Sequence, residues 1–112
     1  MAQMTGDYAT AVYMTKQAQG MSPQQILLQL YDFAIAGCLA RDAQKASAAI
    51  VELIAALNFD YEEIATGLFR LYEYSLLEVK AHRFEAAHKI LAGLREAWET
   101  ALSRPAGAAA AV

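Results

Sequence analysis

At 112 residues the chain has room for one domain, and its 57% apolar composition, rich in alanine, suits helices packed side by side around a modest core. The net charge of −3, with 9 basic against 12 acidic residues and no basic cluster, excludes the stripe of lysine and arginine that nucleic-acid binders carry. The longest apolar stretches, Ala34–Ala40 and Ala48–Leu57, are too short, or are cut by Glu52, for a membrane span of about 20 residues.

Residues 1–20 are small and polar, with Tyr8, Val12 and Tyr13 isolated among them, and predict a mobile N-terminal arm. They hold no apolar leader core, and Cys38 has no second cysteine to pair with; both predict the reducing cytoplasm. A helical domain is expected over residues 21–104. It opens at Ser22-Pro23-Gln24-Gln25, where Ser22 caps, Pro23 takes the first helical position and Gln25 completes a capping box. Met21 and Ile26 stand at the positions of a hydrophobic staple.

The first helix carries one apolar stripe, Leu27, Leu30, Tyr31, Ala34 and Cys38, and a second beside it, Ile26, Leu30, Phe33 and Gly37. A helix apolar over more than half its girth is buried on two sides or lends one side to a partner. The pattern breaks at Arg41-Asp42, with Asp42 as a new cap, and the next stripe is Ala46, Ile50, Leu53, Ile54 and Leu57. Asn58 reads as its left-handed end, and Asp60 as the start of a third helix with core stripe Ile64, Leu68, Leu71, Tyr72, Ser75 and Val79. The phase changes at His82-Arg83-Phe84. The last stripe is Ala87, Ile90, Leu91, Leu94, Ala97, Trp98 and Ala101, and Pro105 and Gly107 stop it before a disordered tail over residues 105–112. Nothing alternates with a period of two. The expectation is an all-α fold, an antiparallel up-down four-helix bundle with short connections.

Catalytic constellations are sparse. Glu85 and His88 form one Glu-x-x-His pair, whereas a di-iron bundle needs two such pairs and two further carboxylates, so an exposed polar pair is the expectation. His82 and His88 read as surface groups or as pH-sensitive ones. Cys38 reads as a small buried apolar residue, and no serine lies in a nucleophile elbow. No enzyme, metal or cofactor is expected. Asp32, among apolar neighbours, serves either a partner or the arm, or is an exposed aspartate on a polar edge.

The aromatic residues are the most informative group. The 6 tyrosines, 4 phenylalanines and 1 tryptophan exceed what one small core holds. Core packing accounts for Tyr72 and Trp98 but not for Phe69 and Tyr74 together, and tyrosine is favoured at interfaces. A partner-binding groove is therefore expected, with self-dimerisation through the same face as the rival reading.

The segment Met21-Ser22-Pro23-Gln24-Gln25-Ile26-Leu27-Leu28-Gln29-Leu30-Tyr31-Asp32-Phe33-Ala34-Ile35 resembles the opening of the FliS flagellar export chaperones. Tyr8 and Tyr13 stand where that family's arm tyrosines stand. Ala56-Leu57-Asn58, Leu71-Tyr72-Glu73-Tyr74 and Leu94-Arg95-Glu96-Ala97-Trp98 resemble its later segments in order. The stretch from Asp32 to Leu57 is shorter than in the family by roughly four helical turns, which predicts a truncated first hairpin.

The resemblance implies a cytoplasmic chaperone that holds the C-terminal helical segment of flagellin and passes it to the flagellar export gate, with a homodimer possible when client is absent. A diverged member serving another export protein is the variant that the shortened hairpin leaves open. The residues implied for binding are Tyr8 and Tyr13 on the arm, Leu27, Leu30 and Tyr31 on the first helix, and Phe69, Tyr72 and Tyr74 on the third.

Overall fold

A computed structural model describes residues 19–103, which are all-helical, with no strand among them. The helices are α1 (Pro23–Leu39), α2 (Ala43–Ala55), α3 (Glu62–Lys80) and α4 (Phe84–Leu102), with a short 3-10 turn at Phe59–Tyr61 before α3. The expectations for the arm up to residue 18, including Tyr8 and Tyr13, and for the tail lie outside the described residues.

The start of α1 forms as its sequence dictates. The Gln25 amide donates to Ser22 Oγ at 3.1 Å, and the Ser22 amide donates to Gln25 Oε1 at 2.8 Å. This reciprocal pair satisfies two amides that a helix start leaves free. Met21 packs against the core and Ile26 is buried within it, as a staple requires. Asp42 caps α2 by accepting from the Lys45 amide at 3.0 Å.

The turns at Arg41 and His82 solve one problem the same way. Both residues adopt left-handed φ values, 55° and 59°, where glycine is the usual occupant. In each turn the next amide reaches back five residues, Asp42 to the Gly37 carbonyl and Arg83 to the Glu78 carbonyl, both at 2.8 Å. Each bond satisfies one of the carbonyls that the end of α1 or α3 leaves without an intrahelical partner. The chain therefore forms a hairpin between Pro23 and Ala55, not one continuous helix.

Two expected boundaries differ. α2 ends at Ala55, with a right-handed cap at Ala56, and Asn58 keeps a negative φ of −105°. Its side chain accepts from the Asp60 amide, so it starts the 3-10 turn and does not end α2. α3 begins at Glu62, after Tyr61, not at Asp60.

α1 packs chiefly against α2 and α4, and α3 likewise packs against α2 and α4, so each helix has two main neighbours. The core between them is built from Ile26, Leu27, Leu30, Tyr31, Ile50, Leu53, Tyr72, Val79, Leu91 and Trp98, with Ala34, Ala46, Ala49 and Ala87 at close approaches. The tightest lies between α1 and α2. A Cβ added to Gly37 would stand 2.6 Å from the Ala46 backbone nitrogen, so only glycine permits this spacing. No helix among the described residues is long and apolar enough to cross a membrane.

Candidate partner-binding surface

The first apolar stripe of α1 is internal, and so is the second at Ile26, Leu30 and Gly37, whereas its Phe33 is exposed. Leu27, Leu30 and Tyr31 are buried, as are Ile26, Gly37 and Cys38, because α2 takes one flank of the helix and α4 the other. Tyr72 is buried opposite Tyr31, and the two hydroxyls share a hydrogen bond. Burial pushes both phenols up, each hydroxyl acts on the other, and Trp98 beside them opposes the rise in part. Leu27, Leu30, Tyr31 and Tyr72 therefore hold the fold together, and none offers a surface to a partner in this conformation. Phe69 is half-buried and Tyr74 is exposed.

α3 departs most from expectation. Its buried face is Ala65, Tyr72, Ser75, Glu78 and Val79, with Leu68 packed against the core. Ile64 and Leu71, expected in the core, face outward. They join Tyr74 and Leu77 in a band of apolar side chains that are 53%, 41%, 54% and 59% exposed in the order Ile64, Leu71, Tyr74, Leu77. Spacings of three and seven residues keep them on one side of the helix over roughly 20 Å. Gly67 falls inside the band, and a Cβ there would meet nothing within 4 Å. Phe59 and Tyr61, also exposed, extend the apolar surface past the start of α3. The apolar arc of α3 is simply wider than the strip its neighbours cover. That excess width was readable in the sequence; which edge of it faces inward was not.

α4 shows a smaller feature. Ala97, expected in the core, is exposed and lines a shallow depression of about 420 Å³ with Gly93, Glu96, Thr100 and Ala101.

Charge is distributed unevenly along the helices. Arg41 donates to Glu85 at 3.0 Å and lies 5.0 Å over the Phe84 ring, which brings the end of α1 beside the start of α4. The Arg83 guanidinium forks onto buried Glu78, with contacts of 2.8 and 2.9 Å, and holds that carboxyl below the usual carboxylate range. Arg41, Lys45, Lys80, Arg83 and Lys89 all lie near these two turns, beside the acids Asp42, Glu78 and Glu85. Toward the other ends of the same helices lie Glu52, Asp60, Glu62, Glu63, Glu96 and Glu99. The other lysines and arginines among the described residues are Arg70 and Arg95, near the middle of α3 and α4. Arg95 pairs with Asp32 at 2.6 Å and with Glu99 at 2.9 Å. Asp32 thus ties α1 to α4.

Glu85 faces Arg41, and no group of three metal-binding side chains occurs among the described residues. Burial raises the Cys38 thiol, which disfavours the reactive thiolate. Comparison with protein-family models, curated proteins and solved structures finds no match to the chain.

Proposed function

We propose that this chain is a chaperone of the FliS type, which binds the C-terminal helical segment of flagellin in the cytoplasm, keeps it from polymerising early and hands it to the export gate. One observation carries the proposal: the band Ile64, Leu71, Tyr74 and Leu77 stays exposed on α3 although a complete core lies beneath it. A contiguous apolar band on a small chain marks a docking surface. Its length suits three to four turns of an amphipathic helix laid alongside it, the helix-in-groove mode. Ordering a disordered client offsets part of the contact energy, so such a complex is specific yet releasable.

The arrangement we assign is an antiparallel up-down bundle. Short links between successive helices support it, as does the Arg41–Glu85 pair between the end of α1 and the start of α4. α2, at 13 residues, is the shortest of the four helices, in keeping with a truncated first hairpin. Tyr74 and Phe69 remain the binding residues from the original set, joined by Ile64, Leu71 and Leu77. Tyr8 and Tyr13 stay assigned to an arm that occupies the face before client does.

The test is calorimetric titration of the full chain with a peptide spanning the flagellin C-terminal segment. Leu71→Asp and Tyr74→Ala should each weaken binding by about tenfold or more, as at interface hot spots, with the helical circular dichroism unchanged. Absence of binding by the unaltered chain would remove flagellin as client.

A further inference from the structure

We infer that the client helix lies along the furrow between α3 and α4, seats one large apolar side chain in a socket over Gly67 and Ala97, and runs antiparallel to α3 with its basic end toward Glu63 and Glu96. The inference deepens the reading of the α3 band as a docking face, and it rests on that reading and on the up-down arrangement.

The band of α3 and the depression on α4 border the same furrow. The main neighbours of α4 are α1 and α3. Arg95 reaches Asp32 of α1, so α3 stands on the other flank of α4. That flank carries Leu94 and Ala101, each three residues after a core residue, Leu91 or Trp98. An antiparallel pair has a local two-fold axis, so the flank of α3 toward α4 also follows its core residues by three: Leu68 after Ala65 and Ser75 after Tyr72. Ile64 and Leu71 border that flank. Gly67 and Tyr74 stand one step further out, as Ala97 does on α4.

The turn between the two helices is centred on His82. Equal counts either side of it set Leu71 level with Gly93, Gly67 with Ala97 and Ile64 with Thr100. The middle of the furrow is therefore its lowest point. Gly67, Gly93 and Ala97 are exposed and put at most a methyl group there, between the exposed side chains of Ile64 and Leu71. A Cβ at Gly67 or Gly93 would meet nothing within 4 Å, so the fold does not need glycine there for close packing. Open room bordered by apolar side chains fits the anchor residue of a docked helix.

Charges on the walls set the direction. Glu63 and Arg70 flank Gly67 on one stripe of α3, and Lys89 and Glu96 share a stripe of α4. On each wall the base lies nearer the turn and the acid lies seven residues, or about 10 Å, further from it. None of these four takes part in an ion pair among the described residues. The other charges of the two helices are engaged or turned away. Glu78 pairs with Arg83, Glu85 with Arg41, and Arg95 with Asp32 and Glu99. Glu62, Glu73 and Lys80 lie on the opposite flank of α3, on the side of Phe69 and Leu76. A helix favours acid in its first turn and base in its last. Laid antiparallel to α3, such a helix brings its basic end to Glu63 and Glu96 and its acidic end to Arg70 and Lys89. Laid parallel, it meets like charge at both ends.

The experiment titrates the full chain with two probes. One is the flagellin C-terminal peptide. The other is a designed amphipathic helix with a leucine face, one central tryptophan, glutamate in its first turn and lysine in its last. Gly67→Leu and Ala97→Leu should each weaken binding of the designed helix by about tenfold or more, and Gly67→Ala by less, with helical circular dichroism unchanged. Glu73→Gln, on the opposite flank, should leave binding as it is. Glu63→Lys with Glu96→Lys should cost about tenfold, and glutamate in place of the last-turn lysines of the probe should restore most of the loss. A nitroxide on the last residue of the probe should broaden the NMR signals of Ile64 and Thr100 and spare those of Leu77 and Ala86. The reverse pattern would overturn the direction. Unchanged or tighter binding by Gly67→Leu and Ala97→Leu, while Leu71→Asp still weakens it, would overturn the socket and leave the docking face standing. Binding of the designed helix without binding of the flagellin peptide would remove flagellin as client and keep the socket. If neither probe binds the unaltered chain, the docking face falls and the inference falls with it.

Discussion

The hydroxyls of Tyr31 and Tyr72 meet in the buried centre of the fold and join α1 to α3 across 41 positions of sequence. Each satisfies a polar group that water cannot reach, so the pair costs little when whole and much when halved. Tyr31→Phe and Tyr72→Phe should each destabilise by about 1–3 kcal/mol, because each leaves one buried hydroxyl without this partner. The double replacement should cost clearly less than the two single losses added together. Urea denaturation of the four proteins measures this cycle, and strict additivity would show that the hydroxyls do not interact.

Gly37 and Gly93 make a matched contrast. A methyl group at Gly37 meets the Ala46 backbone at 2.6 Å, and backbone cannot swing aside as a flexible side chain does. Gly37→Ala should cost about 1–3 kcal/mol as overpacking between α1 and α2. At Gly93 the added methyl meets nothing within 4 Å, and alanine is the better helix former. Gly93→Ala should stabilise by about 0.5–1 kcal/mol. Thermal melts of the two variants should move in opposite directions.

Much of the chain was legible because local chemistry decides it. Ser22, Pro23 and Gln25 set the start of α1, and Asp42 sets that of α2, through bonds a few residues long. The turns at Arg41 and His82 were visible only as changes of phase. The residues that adopt left-handed φ there are an arginine and a histidine, which do not advertise that conformation. Asn58 was misread because asparagine suits both the end of one helix and the start of another. The candidate surface was half legible. Surplus aromatics pointed to exposure, and Tyr74 is exposed, but Ile64 and Leu71 share an apolar arc with Tyr72 and Val79. Which edge of that arc is covered depends on where α2 and α4 stand, and helical periodicity does not carry that.

The strain at His82 gives a further test. A non-glycine residue in the left-handed region costs about 1 kcal/mol. His82 is exposed, and the described contact of its ring is with Phe84, at 5.4 Å between ring centres. His82→Gly should stabilise by about 0.5–1 kcal/mol, net of that contact and of the added freedom of the unfolded chain. Arg41→Gly should gain less, because Arg41 also pairs with Glu85 and lies over Phe84. Equal gains at the two positions would mean that those contacts contribute no more than the contact between His82 and Phe84 does.

Glu52 sets the pH dependence. Its carboxyl is buried on α2, with Oε1 unpaired among the described residues, and burial pushes its pKa from 4.5 up to about 6. Because the folded value is raised, the folded chain binds this proton more tightly than the unfolded chain does. The contribution to stability is therefore fully present below about pH 4.5 and is lost as pH rises through about 6. The difference between the two values corresponds to about 2 kcal/mol as an upper figure. Glu78 acts in the opposite sense: Arg83 lowers its pKa, so its contribution is present above the ordinary carboxylate range and fades as the solution becomes acidic. The two effects separate by window, Glu52 between about pH 4.5 and 6 and Glu78 below that. Glu52→Leu should stabilise the chain at pH 7.5 by about 1–2 kcal/mol and leave stability at pH 4 nearly unchanged. Denaturation midpoints measured from pH 4 to 8 for both proteins decide the matter: the gap between the curves should open as pH rises through about 6, and parallel curves would show that the Glu52 carboxyl is not the group responsible.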